Sequence, residues 1–125
     1  MSVMKGKEEE KEKCIVEYDG GEFDMVRECT VLKFSASWCG PCKFMERVLI
    51  EEVSNDAVIR NAITCGNIII HNIDIDRFPQ LAHIYSVKTV PHIAFYDRGN
   101  LYPTYITDSR AAHDVMTMMH KLIKK

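Results

Sequence analysis

The chain has 125 residues, 46% hydrophobic and 27% charged, the size and composition of one globular domain with its own core. Sixteen Lys and Arg against eighteen Asp and Glu leave a net charge of −2, so there is no electrostatic case for nucleic acid as a main partner. The longest apolar runs are far below the ~20 residues that span a bilayer, and no apolar stretch of signal-peptide type follows Met1. The expectation is therefore a cytoplasmic protein with no membrane partner.

Residues 1–13 stand apart. Four Lys and four Glu fill most of Lys5 to Lys13 without apolar periodicity, which predicts a solvated tail, disordered or frayed-helical. The domain is expected over 14–125. Cys14 to Tyr18 reads as a short strand closed by Gly20-Gly21, and Glu22 to Glu28 as a short helix with Phe23 and Val26 on one face. Cys29 to Phe34 is β-rich. From Cys42 to Val53 the apolar residues Met45, Val48, Leu49 and Val53 recur at helical spacing. Ser54-Asn55-Asp56 interrupts that helix and caps a second one carrying Val58, Ile59, Ala62 and Ile63.

The continuous apolar run within Asn67 to Ile73 predicts a strand covered on both faces, as in a parallel sheet. Pro79 suits the first turn of a helix whose Leu81, Ile84 and Tyr85 face inward. His92 to Tyr96 reads as a strand, Asp97 to Asn100 as a hairpin turn, and Leu101 to Ile106 as the returning partner. Pro103 argues for an edge position there. A final amphipathic helix carries Val115, Met118, Met119, Leu122 and Ile123. Together these elements predict a mixed sheet with helices on both faces.

Five cysteines are too few and too odd for a disulfide scaffold. Cys39 and Cys42 form a Cys-x-x-Cys pair, which points to redox chemistry or metal binding. A zinc site usually needs four ligands, and no second Cys pair or His-x-x-x-His run supplies the rest. Cys14, Cys29 and Cys65 are isolated, and their default role is that of a small buried hydrophobe. If Cys39 sits at a helix N-terminus, free backbone N–H groups and the helix dipole favour its thiolate, the attacking species in disulfide exchange. Cys42, one turn deeper, would then resolve the mixed disulfide. Gly40 lets a substrate backbone approach, and Pro41 stiffens the loop where a missing N–H does no harm.

Phe34-Ser35-Ala36-Ser37-Trp38-Cys39-Gly40-Pro41-Cys42-Lys43 resembles the active-site segment of thioredoxins nearly letter for letter. Lys88-Thr89-Val90-Pro91 stands where that family carries a cis-proline, and Asn72-Ile73-Asp74 resembles the end of its central strand. The resemblance covers about residues 14 to 124. It implies a thioredoxin fold, an α/β architecture with a mixed sheet of about five strands. It also implies that Cys39 is the nucleophile, Cys42 the resolver, Trp38 a lid, and Val90–Pro91 a cis bond whose flanking backbone pairs with substrate.

Three departures stand out. Lys33 occupies the position of the family's buried Asp, Arg47 that of its helix-kinking proline, and the stretch from Cys42 to Asp74 is longer than usual. Cys42-Lys43-x-x-Glu46 and the break at Ser54-Asn55-Asp56 look like the C-terminal domain of DsbD, where the matching Glu lies near the active site. Glu46, at i+4 from Cys42, is thus expected to pair with Lys33, replacing the missing Asp as proton acceptor and tuning the thiols; the alternative has Lys33 snorkelling off the sheet and Glu46 on the solvated surface. His92 follows Pro91, where proton transfer and simple strand filling are both open; the other histidines read as ordinary.

The expectation is a protein thiol–disulfide oxidoreductase that reduces disulfide-containing proteins through Cys39 and Cys42. It would be a monomer without metal or cofactor, recycled by an upstream reductase such as a thioredoxin reductase. The alternatives are a disulfide oxidase or isomerase, and a thioredoxin-fold adaptor with little turnover.

Overall fold

The computed structural model describes residues 14–124, so the expected charged tail over 1–13 lies outside the described residues. Five strands form one sheet: β1 (Val16–Glu17), β2 (Cys29–Ser35), β3 (Ile68–Asp74), β4 (His92–Asp97) and β5 (Asn100–Leu101). Four helices accompany them: α1 (Gly40–Ser54), α2 (Ala57–Thr64), α3 (Pro79–Ile84) and α4 (Ala112–Ile123). The strand order is β1-β3-β2-β4-β5, with β1 and β2 parallel to β3, β4 antiparallel to β2, and β5 antiparallel to β4.

β2 lies between β3 and β4 with all seven residues buried, which explains why its sequence shows no alternation of apolar and polar residues. On one face Cys29, Val31, Ile68, Ile70, Ile93 and Phe95 meet the stripes of α1, α2 and α4. The other face packs Leu32, Phe34, Ile73 and Ala94 under Ala82 of α3 and a ring of partly buried side chains including Tyr18, Phe23 and Tyr85. Each fully buried Leu, Ile, Val or Phe contributes roughly 1.5–3 kcal/mol, so these two layers hold the sheet rigid beneath the loops.

α1 buries Cys42, Met45, Leu49 and Val53 and runs unbroken past Arg47, whose guanidinium lies 5.7 Å over the Phe44 ring. It ends at Ser54, and Asp56 caps α2 by accepting the Ile59 N–H at 3.1 Å. The other Asp56 oxygen meets His120 Nε2 at 2.7 Å, which ties α2 to α4. Burial raises the Asp56 pKa, but the His120 and backbone hydrogen bonds outweigh it, and the carboxyl sits below its usual range. Its contribution is therefore complete above the unfolded carboxylate pKa of about 4 and is lost as pH falls through the lower folded value. Asp56→Ala is expected to cost about 1 kcal/mol by chemical denaturation at neutral pH, and the difference from wild type should shrink in acid.

Four expectations are corrected. No helix forms over Glu22–Glu28. Phe23 is held by the rings of Tyr18 (4.7 Å) and His71 (5.1 Å), whereas Val26 is 86% exposed, so the two share no face and a seven-residue helix lacks the packing that offsets nucleation. The first strand shrinks to Val16–Glu17, the two residues in register with β3, and the Tyr18 N–H adds one last bond to the Asn72 carbonyl at 2.9 Å. Ile84 and Val58 point to solvent: α3 is too short to bury more than one stripe, and α2 turns Ile59 and Ala62 inward instead.

The returning hairpin strand also stops early. Asn100 and Leu101 pair with β4, the chain leaves the ladder around Pro103, and only an isolated bridge joins Ile106 to Ile93. The two-residue turn itself has Arg98 at φ 49° and Gly99 at φ 88°, the mirror-image turn that suits strand twist. Arg98 accepts that left-handed backbone because its guanidinium bridges Glu28 (3.2 Å) and the Leu122 carbonyl (2.9 Å).

Candidate active site

The end of β2 runs through Ala36 and an exposed turn into α1, and this junction carries the cysteine pair. Cys39 is the N-cap of α1 and Pro41 opens its first turn, where no N–H is needed. Cys42 follows one turn in and is closed with Cys39 in a disulfide. The Cys42 N–H donates to Cys39 Sγ at 3.1 Å, so a free helix-end amide points at that sulfur. Both sulfurs are sheltered: Cys39 keeps 4% of its surface exposed and Cys42 2%, packed against Ala36, Ile75 and Val90.

Across from the pair, Val90–Pro91 is cis, and the Val90 carbonyl oxygen lies 3.7 Å from Cys39 Sγ. Trp38 is 67% exposed, yet its indole N–H is anchored on Asp76 Oδ2 at 2.9 Å. A side chain added at Gly40 would meet nothing within 4 Å, so the loop's outer surface is open to an approaching backbone. Trp38, Gly40, Val90 and Pro91 thus surround the disulfide as their motif positions suggest.

Lys33 is 1% exposed on the β2 face beneath α1. A direct pair with Glu46 is not formed: Lys33 Nζ donates to Asn72 Oδ1 at 3.0 Å. The reason is register, since Lys33 and Asn72 are opposed on neighbouring strands whereas Glu46 belongs to the helix layer above. Lys33, Glu46, Asn72 and Cys42 nevertheless line one cleft of about 210 Å³. Burial pushes the Lys33 amine below the usual lysine range, and the carboxylates of Glu46 and then Glu17 pull it partly back. Glu17 and the Trp38 anchor Asp76 were missed in the sequence, and Asn72 was read only as part of a strand-end motif, because strand register and loop folding bring them in and neither leaves a local signal.

His92 is stacked on Tyr105 (4.6 Å) and edge-on to Phe34 (5.8 Å), and burial holds its pKa down, so its ring fills the strand position. Cys14 and Cys29 are buried thiols pushed up to about 11 and about 12, the first by burial and Glu46, the second by burial and Asp97. Such thiols are inert at neutral pH; Cys65 is exposed.

The thioredoxin family model matches residues 20–121. The chain belongs to the thioredoxin family. Thioredoxin-1 of Drosophila melanogaster is 32% identical over 97 residues, covering 75% of this chain and 78% of the fly protein. Thioredoxin from Buchnera aphidicola is 27% identical over 97 residues, 74% of this chain and 82% of its own. Among solved structures, a thioredoxin variant from Halobacterium salinarum superposes with a TM-score of 0.69 at 20% identity, covering 88% of this chain and 91% of that one. Schistosoma mansoni thioredoxin gives 0.68 at 19% identity, covering 87% and 95%; at these identities the likeness speaks for the thioredoxin fold alone. Thioredoxin-family membership and the Cys39–Cys42 disulfide in its Trp-Cys-Gly-Pro-Cys loop make the chain a thiol–disulfide oxidoreductase acting on protein disulfides. Among the described residues, no helix is long and apolar enough to cross a membrane.

Proposed function

We propose that this thioredoxin-family protein works as a reductase, with Cys39 as the attacking thiol and Cys42 as the resolving one. The observation that carries the assignment is the N-cap position of Cys39, whose sulfur receives the Cys42 amide N–H and the positive end of α1. Both favour negative charge on that sulfur, which suits Cys39 to be the attacking one. It attacks a substrate disulfide, and a mixed disulfide forms on Cys39 as one substrate thiolate leaves. Cys42 then attacks Cys39, releasing the second substrate thiol and closing the Cys39–Cys42 bond.

The remaining residues serve binding. Trp38, pinned through Asp76, presents an exposed ring face beside the disulfide, and the Val90–Pro91 backbone lies opposite, its Val90 carbonyl next to Cys39, for a substrate backbone to pair with. Gly40 keeps the approach open and Pro41 keeps the loop stiff. Electrons return from an external reductase of the thioredoxin reductase kind, and the chain needs no cofactor of its own. A monomer in the cytoplasm fits this cycle, and the thiols of Cys14, Cys29 and Cys65 suit a reducing compartment.

Insulin reduction with dithiothreitol as electron source tests the reading. The protein is expected to accelerate it catalytically, and the double variant Cys39→Ser/Cys42→Ser to lose all acceleration. A protein that bound the substrate without accelerating its reduction would be an adaptor.

A further inference from the structure

Helical spacing places Gly40, Lys43, Phe44 and Arg47 of α1 on one stripe that begins at the disulfide loop, opposite the buried Cys42, Met45 and Leu49. All four are exposed, and Phe44 keeps 43% of its surface in water. The Arg47 guanidinium lies 5.7 Å over the Phe44 ring, so a ring and a cation are held together in the open. Lys43 adds a second cation one turn nearer Cys39. Among the described residues, no carboxylate lies within ion-pair distance of Lys43 or Arg47. Glu46 lines the cleft beside Cys42, and Glu51 is the next acid along the stripe, a turn beyond Arg47. Across the disulfide, Lys88 stands exposed two residues before Val90. Asp76, the carboxylate on the remaining side, is engaged by the Trp38 indole. Cations thus flank the sulfurs of a chain whose net charge is −2.

Resting on the reductase reading above, we propose that the Lys43–Phe44–Arg47 face is a substrate-docking surface whose occupant is an acidic segment of the disulfide-containing protein, a few residues from the cysteine that bonds to Cys39. Charge complementarity names the occupant. Two cations without a carboxylate partner attract acidic side chains and repel a basic segment, and the ring between them packs against the acids' apolar stems. The space over Gly40 is open, so a chain leaving Cys39 can lie along the helix. With a rise of 1.5 Å per residue, Lys43 lies about 6 Å and Arg47 about 12 Å beyond Cys39 along the axis. An extended substrate advances about 3.3 Å per residue, so acids about two and four residues from its cysteine reach the two cations. Those two positions share one face of an extended chain, so both acids point at the helix at once.

Disulfide-linked dimers of a short one-cysteine peptide test this, with Glu or Lys two and four residues from the cysteine on both sides. The reduced protein, in a Cys65→Ser background that removes the exposed third thiol, is mixed with each, and its oxidation is followed by acid quench and mass spectrometry. Each rate is divided by that with bis(2-hydroxyethyl) disulfide, small and uncharged, so that a general change in the thiols cancels. The Glu peptide is expected to react roughly tenfold faster than the Lys peptide at low ionic strength. That gap should close at about 1 M salt. Moving the acids to positions eight and ten should remove the advantage. Lys43→Glu/Arg47→Glu is expected to invert the order, which a merely loosened helix would not do. Lys43→Gln/Arg47→Gln should abolish the order and serves if the reversal does not fold. Equal rates for the two peptides at low salt, or an order that survives in Lys43→Glu/Arg47→Glu, overturn the proposal while leaving the reductase reading intact. A dimer in sedimentation that Lys43→Glu/Arg47→Glu dissolves assigns the face to a second copy and overturns it too. A wild-type protein that reduces neither the peptides nor the small disulfide overturns the reductase reading, and this proposal with it.

Discussion

Cys39→Ser is expected to remove disulfide reduction entirely, a fall of roughly three or more orders of magnitude, whereas Cys42→Ser should stall the cycle after one step. The two sulfurs differ in surroundings more than in exposure. Cys39 Sγ receives the α1 N-terminus and lies beside the Val90 carbonyl, on the side where Trp38 and Gly40 leave room for a substrate. Cys42 faces inward to the Lys33 cleft. A serine at position 42 cannot break the mixed disulfide on Cys39, so the substrate stays covalently attached. Insulin turnover together with intact-protein mass spectrometry separates the cases. Trapping in Cys39→Ser and none in Cys42→Ser would reverse the assigned roles.

The largest expected effect on stability comes from Phe34→Ala. Phe34 is fully buried in the central strand, with Tyr85 at 5.4 Å and His92 at 5.8 Å, and it anchors the sheet face that α3 covers. Truncation removes the ring's transfer energy and leaves a cavity among neighbours fixed by β2 and β4, a cost of about 3–5 kcal/mol. Urea denaturation should show that loss, and Tm should fall by roughly 10–25 °C. Because Phe34 immediately precedes Ser35 and Ala36, which line the cleft, the loss of its packing should also loosen the loop leading to Cys39. A loss below about 1 kcal/mol would mean that this face relaxes freely and is not a close-packed layer.

How much of this was legible before the fold was known depended on how local each signal is. The helices α1, α2 and α4 were readable because period and caps are written in consecutive residues: Met45, Leu49 and Val53 in one, Asp56 ahead of another. β2 and β3 were readable as continuous apolar runs. The Cys39–Cys42 pair, Trp38 and the Val90–Pro91 bond were readable because a short motif carries them. What failed was decided by distant partners. Phe23 and Val26 look like one helix face until Tyr18 and His71 claim the first and leave the second in water. Leu101 to Ile106 looks like a full strand, and only the departure at Pro103 shortens it. Lys33 was visible as an anomaly, but its bond to Asn72 depends on the pairing of two strands separated by 39 positions in the chain. Glu46, the partner expected for Lys33, shares its cleft and acts through the field.

The most direct measurement is the reduction potential of the Cys39–Cys42 couple in glutathione buffers, read alongside turnover on a protein disulfide. The expected result is a potential well below about −220 mV with catalytic turnover, which makes the dithiol a net donor of electrons to substrates. A potential well above that value without turnover would contradict the reductase reading and show that the sulfurs are poised for oxidation or held for binding.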